Sequence, residues 1–220
     1  MVNKVISQIR LFINLWFVWL ITGIILWIIF PKGVLELYWN EQHNLVFDKF
    51  FSIITYLGSG FVFGFFVFVL IFINRRIFFI ALSTSLVCLL TSIIMKQFFF
   101  KGEMRPISFF GDSVNIHLPD GAEKLLFGSF PSGHTLSAFA MFLLMAFFIK
   151  NNFLQVILFI TAALVGISRI YLMAHFKEDV WTGSLLGVLI SIGVTFFFQN
   201  YFNHINSYPL ISLNRNGKKI

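Results

Sequence analysis

Six long apolar runs govern what this 220-residue chain can become, at 11–30, 51–73, 77–99, 132–149, 153–174 and 180–201. Each is long enough, as a helix, to cross a hydrocarbon layer of ~30 Å. Inside a bilayer a helix also satisfies its own backbone hydrogen bonds. With 58% hydrophobic and 11% charged residues, one soluble core could not hide this much apolar surface. The expectation is an all-α integral membrane protein, a six-transmembrane-helix bundle forming a single domain over 1–220.

The first run follows Lys4 and Arg10. It is longer than the core of a secretory signal, and Phe30-Pro31-Lys32 offers no small-residue cleavage site, so it reads as a retained anchor. Cys88, the single cysteine, lies mid-run and reads as packing. Lys4, Arg10, Arg75, Arg76, Lys150, Arg215, Lys218 and Lys219 fall in segments without Asp or Glu, whereas all nine acidic residues fall in or beside the opposite loops, 31–50, 96–131 and 174–180. The positive-inside bias predicts cytoplasmic N- and C-termini, with 205–220 a short basic tail. The net charge of +7 does not form a nucleic-acid face, since the cations divide between inner anchors and an outer cluster. Anionic lipid headgroups suit the inner set.

The outer loop between the third and fourth runs is about 30 residues long, unusual unless it shapes a site. Arg105-Pro106, Gly111-Asp112 and Pro119-Asp120-Gly121 give it turn chemistry, and 122–127 could form a short helix. Gly60 and Gly64, and Gly183, Gly187 and Ser191, recur at spacings of four, which predicts close helix packing.

Polar residues collect where the runs meet this outer side. Ser132-Gly133 opens the fourth run, where a helix N-terminus presents N–H groups to an anion; a plain Ser N-cap is the competing reading. His134 adds an ionisable ring that a cap does not need. Arg169 sits about five residues from the outer end of the fifth run, where an unpaired charge is costly and phosphate binding suits it. His175 follows six residues later, and Asp179 four after that, a spacing at which a carboxylate can reach one ring nitrogen and leave the other nucleophilic.

Taken in order, Arg105-Pro106, Pro131-Ser132-Gly133-His134 and Ser168-Arg169 through His175 to Asp179 resemble the signature of the type 2 phosphatidic acid phosphatase superfamily, which includes vanadium haloperoxidases and bacterial acid phosphatases. The motifs cover 96–179. The first usually reads Lys, six residues, Arg-Pro; here eight residues separate Lys96 from Arg105, and three separate Lys101 from it. Lys96 is assigned because it ends the third run, where a two-residue bulge absorbs the excess. Thr55-Tyr56-Leu57-Gly58-Ser59-Gly60 is similar to a common family segment.

The resemblance implies a metal-free, cofactor-free reaction. His175 would attack phosphorus to form a phosphohistidine, His134 would protonate the leaving oxygen, and Asp179 would orient His175. Lys96, Arg105, Ser132, Gly133 and Arg169 would bind the phosphate. It also implies a lipid substrate, such as undecaprenyl diphosphate, phosphatidylglycerophosphate, phosphatidate or lipid A, met at the outer face of a bacterial cytoplasmic membrane, with no obligate protein partner. A lipid phosphotransferase, a vanadate-dependent haloperoxidase and a non-catalytic lipid carrier are the alternatives.

Overall fold

The computed structural model describes residues 9–119, 124–149 and 151–204, with side chains to 199. The chain is helical, and among the described residues the one β-bridge joins Met104 to Phe127. Helix α1 is Arg10–Ile29, α2 Val34–Glu41 and α3 Leu45–Ile54; a 3-10 turn, Thr55–Gly58, leads into α4, Gly60–Ile73. Then come α5, Arg75–Ile94, which continues in a π-helical turn over Met95–Phe99, and the short α6, Pro106–Phe110. Helices α7, Gly133–Phe148, α8, Asn152–Tyr171, and α9, Lys177–His204, complete the bundle.

Local chemistry sets the helix starts. Asn44, Ser59, Asn74, Ser132 and Asn151 each accept a first-turn amide through the side chain, the role in which Asn and Ser are preferred. Helix α7 is the central element. It packs most extensively against α9 and then α8, and buries Leu136, Ala138, Phe139, Ala140, Leu143 and Leu144 almost completely. Phe12, Phe139 and Phe159 meet edge to face at its side. The outer surfaces of α1, α4 and α5 are apolar and exposed, as at Ile28, Phe61, Phe72 and Leu89, which is what a lipid-facing surface requires.

The six expected runs all become helix, but not six straight spans. Helices α1, α5, α8 and α9 are long and apolar enough to cross a membrane, and the pair 45–58 and 60–73, bent by 50°, makes a fifth when taken as one. Helix α7, with 16 residues, is about 24 Å long; being enclosed by its neighbours, it need not match the hydrocarbon thickness. The bend lies at Gly58-Ser59, where a Cβ on Gly58 would stand 2.6 Å from the His134 carbonyl oxygen. The helix expected at 122–127 does not form over 124–127, where Phe127 instead bridges Met104; 120–123 lie outside the described residues. The basic tail 205–220, Lys4 and Lys150 also lie outside them.

Candidate active site

The polar residues singled out from the sequence converge at one end of the bundle, where the π-helical end of α5, the first turn of α7 and the α8–α9 connection meet. Helix α8 stops at Tyr171, earlier than expected, so Arg169 stands in its last turn. The Met173 amide bonds to the Ile170 carbonyl and the Ala174 amide to the Arg169 carbonyl, a Schellman closure with Met173 at φ 52° where glycine is usual. That left-handed residue reverses the chain, and the His175 amide shares the Arg169 carbonyl at 3.1 Å. His175 is thereby fixed by backbone before its side chain makes any contact.

Two partners bracket the His175 ring. Nδ1 lies 3.4 Å from Asp179 Oδ2, and Nε2 lies 3.4 Å from Arg105 Nη1. A guanidinium has only donors, so Nε2 must offer it a lone pair and Nδ1 carries the proton toward the carboxylate. Both contacts are long, as catalytic hydrogen bonds often are before a substrate arrives. Arg105 is itself held: Nε donates to the Phe127 carbonyl at 3.0 Å, Nη1 to the Ala174 carbonyl at 2.9 Å and Nη2 to the Gly128 carbonyl at 3.3 Å. Asp179 Oδ2 also accepts the Phe176 amide at 3.0 Å and the Ser129 hydroxyl at 2.5 Å.

Arg169 donates through Nη1 to Thr55 Oγ1 at 2.6 Å, a contact that the 3-10 turn before α4 makes possible. Lys96 lies in the π-helical turn that ends α5. It stands within electrostatic reach of His134, His175, Arg105, Arg169 and Asp179, whereas Lys101 is exposed in the loop beyond. Gly133 and His134 occupy the first turn of α7, where backbone N–H groups lack helical acceptors. The Ser132 hydroxyl is fully buried and engaged by Thr135, 2.9 Å from its Oγ1 and 3.4 Å from its amide nitrogen. The structure thus brings together every residue singled out, with Ser132 capping α7.

Three cations surround two histidines and one carboxylate. Burial, reinforced by Arg105, Arg169 and Lys96, pushes the His175 pKa well below its ordinary 6.5. Its ring is therefore neutral at physiological pH, the state a nucleophile needs.

Several supporting residues escaped sequence reading. Glu36, wholly buried in α2, accepts the Lys177 amide at 2.6 Å and so holds the start of α9; burial raises its carboxyl pKa. Asp48 accepts the Tyr171 hydroxyl at 2.6 Å and faces His117 Nε2 at 2.9 Å, while Asn40 pairs with the His117 backbone and His43 stacks on its ring. This network ties the outer loop, through His117, to α2, α3 and the end of α8. Nothing in the spacing of Glu36, Asp48 or His117 announces it; Thr55 and Ser129 had at least their places near the motifs as a signal.

The model of the PAP2 superfamily matches residues 80–203, more than half of the chain. The chain belongs to that superfamily. Among curated proteins, phosphatidylglycerophosphatase B of Bacillus subtilis (strain 168) is 38% identical over 71 residues, 28% of this chain and 35% of the relative. The bacitracin transport permease protein BcrC of Bacillus licheniformis is 45% identical over 67 residues, 30% of this chain and 32% of the relative. The matched segments thus span about a third of each relative's length.

Solved PAP2-type structures share the fold. Aquifex aeolicus LpxE superposes with a TM-score of 0.66 at 28% identity, over 76% of this chain and 96% of LpxE. The PAP2-type phosphatidylglycerolphosphate phosphatase of Bacillus subtilis gives 0.54 at 24% identity, over 80% and 86%.

The buried, neutral His175 makes stability pH-dependent. Its imidazole takes up a proton near pH 6.5 in the unfolded chain but only at lower pH in the fold, so the unfolded state binds more protons and stability falls as pH drops below about 6.5. The melting temperature of detergent-solubilised protein is expected to fall from about pH 7 to about pH 5, and less steeply in His175→Gln. Equal slopes would contradict the burial of a neutral ring.

Proposed function

We propose that this protein is a membrane phosphatase that hydrolyses the phosphomonoester or diphosphate of an envelope lipid through a phosphohistidine intermediate. The observation that carries the lipid assignment is a cavity of about 280 Å³ beside the site. His134 and Gly133 line it together with Gly58, Gly60, Phe63, Gly64, Leu86, Cys88 and Leu89 and three serines, Ser85, Ser92 and Ser137. Gly60, Gly64, Leu86 and Leu89 are exposed, so the cavity opens sideways between α4 and α5 into the surface that faces lipid. A phosphate held at the cluster would have its hydrocarbon tail leave by this opening.

In this reading His175 Nε2 attacks phosphorus in line. The P–N bond forms as the bond to the leaving oxygen breaks, and His134, which takes up a proton from solvent once the bound phosphate anion offsets the cations around it, gives that oxygen the proton. Lys96, Arg105, Arg169 and the first-turn amides of α7 hold the equatorial oxygens, whose charge grows in the transition state. Ser132 contributes by fixing that first turn, and its hydroxyl reaches the phosphate only by releasing Thr135. Water then attacks phosphorus, the P–N bond breaks, His134 recovers its proton and inorganic phosphate leaves. The three cationic side chains supply the charge neutralisation, so the proposed reaction proceeds with EDTA present.

The names of the relatives point to the same chemistry. Phosphatidylglycerophosphatase B and the Bacillus subtilis PAP2-type structure are named for phosphatidylglycerophosphate, which makes that lipid the first substrate to try. A lipid A phosphatase or a phosphotransferase would use the same cluster. We place the site on the outer face of a bacterial cytoplasmic membrane. In support, Arg10, Arg75 and Arg76 begin α1 and α5, whose opposite ends lead toward the site.

Detergent-purified protein is expected to release phosphate from at least one of phosphatidylglycerophosphate, phosphatidate, undecaprenyl diphosphate and lipid A in EDTA, and His175→Ala to lose at least about 10³-fold in kcat while still folded. Release that survives in His175→Ala would remove the nucleophile.

A second expectation follows from the cavity. A side chain on Gly64 meets nothing within 4 Å, so Gly64→Leu should fold and fill the opening. Activity on a long-tailed lipid phosphate should fall by about tenfold or more, with little change on a short soluble phosphate ester. Equal loss on both would place the tail elsewhere.

A further inference from the structure

Resting on the assignment of His175 as nucleophile, we propose that Ser129 is a positioning residue for the reaction, the hydroxyl that fixes the Asp179 carboxylate against the His175 ring. Ser129 lies outside the three motifs, two residues before Pro131, and is 1% exposed. Its Oγ donates to Asp179 Oδ2 at 2.5 Å, across fifty residues of sequence. That oxygen is the one facing His175 Nδ1, so the hydroxyl sets which oxygen the imidazole meets and at what angle. The Phe176 amide also anchors that oxygen, but it belongs to the same short turn as the histidine.

The backbone explains how a loop residue can hold this position. Phe127 bridges Met104, and the Ser129 amide donates to the Glu103 carbonyl at 3.3 Å, so 127–129 runs beside the segment that delivers Arg105. Gly128 turns the chain at φ 72°, a conformation suited to glycine. The Phe127 and Gly128 carbonyls hold Arg105, which faces His175 Nε2, and the next residue holds Asp179, which faces Nδ1. One tripeptide therefore sets both sides of the imidazole. As Nε2 bonds to phosphorus the ring gains positive charge, and a carboxylate already aligned with Nδ1–H stabilises it without moving.

A packing role and a positioning role differ in what they change. Alanine fills nearly the same space, so a packing residue would show itself in stability, whereas a positioning residue lowers kcat and depends on Asp179. The test measures phosphate release from a lipid phosphate by wild-type protein, His175→Ala, Ser129→Ala, Asp179→Asn and the Ser129→Ala/Asp179→Asn pair, with melting temperatures for each. Activity in wild type and its loss in His175→Ala check the underlying reading separately. On that background Ser129→Ala is expected to lose about tenfold in kcat with KM within about twofold, and the double variant to be no slower than Asp179→Asn alone. A kcat within about twofold of wild type, or losses that multiply in the double variant, would overturn the proposal. Should the alanine protein not fold, Ser129→Cys, close in size but a weak donor, is read by the same criteria.

Discussion

The site depends on how closely the first turn of α7 approaches its neighbours. A Cβ on Gly183 would lie 2.6 Å from the Ser132 carbonyl oxygen, one on Gly187 2.4 Å from that of Leu136, and one on Gly58 2.6 Å from that of His134. No side chain fits at those distances, so α9 and the turn before α4 meet α7 backbone to backbone. Close approach of this kind is how helices associate where lipid leaves no hydrophobic driving force between them. It puts Asp179, at the start of α9, within 3.0 Å of the Ser132 amide through its carbonyl, and locks the two helix starts together.

On that frame the chemistry is a balance of buried charge. Arg105 and Arg169 are each less than a tenth exposed, an expensive placement unless every donor has a use. Carbonyls of 127, 128 and 174 accept from Arg105 and the Thr55 hydroxyl accepts from Arg169, which fixes where both guanidinium groups stand. Positive charge gathered near a buried imidazole suits an anionic ligand and, with burial, keeps the His175 ring neutral. Beside the bend at Gly58-Ser59, Thr55 meets Arg169, and the cavity lined by Gly58 and His134 lies against the same turn.

Much of this was legible in the sequence, because ionisable residues beside apolar runs are rare without a task. His134, His175, Asp179 and Arg169 stand out that way, Arg105 through the resemblance carried by its Arg-Pro pair, and Lys96 by its position at the end of a run. Spacing could not distinguish the glycines: Gly183 and Gly187 pack against backbone, whereas Gly60 and Gly64, equally spaced, face open space in the cavity. The bend was hidden because the apolar run continues through it, and the backbone that Gly58 packs against there, at His134, lies 76 residues away along the chain. In the sequence Glu36 looks like an ordinary loop residue and Ser129 has only its place beside a motif, so it is the folded contacts that give them a role.

The central claim is that the neutral His175 ring becomes the phosphoryl acceptor. The direct measurement is to mix the protein with a lipid phosphate carrying radiolabel in its terminal phosphate, quench within a turnover into base, where a phosphohistidine survives, and map the label after trypsin. The account predicts acid-labile label on the peptide 170–177, which contains His175, and none in Asp179→Asn or His175→Ala beyond a trace. Label on the peptide that contains His134, or turnover with no protein-bound label at any time, would contradict it.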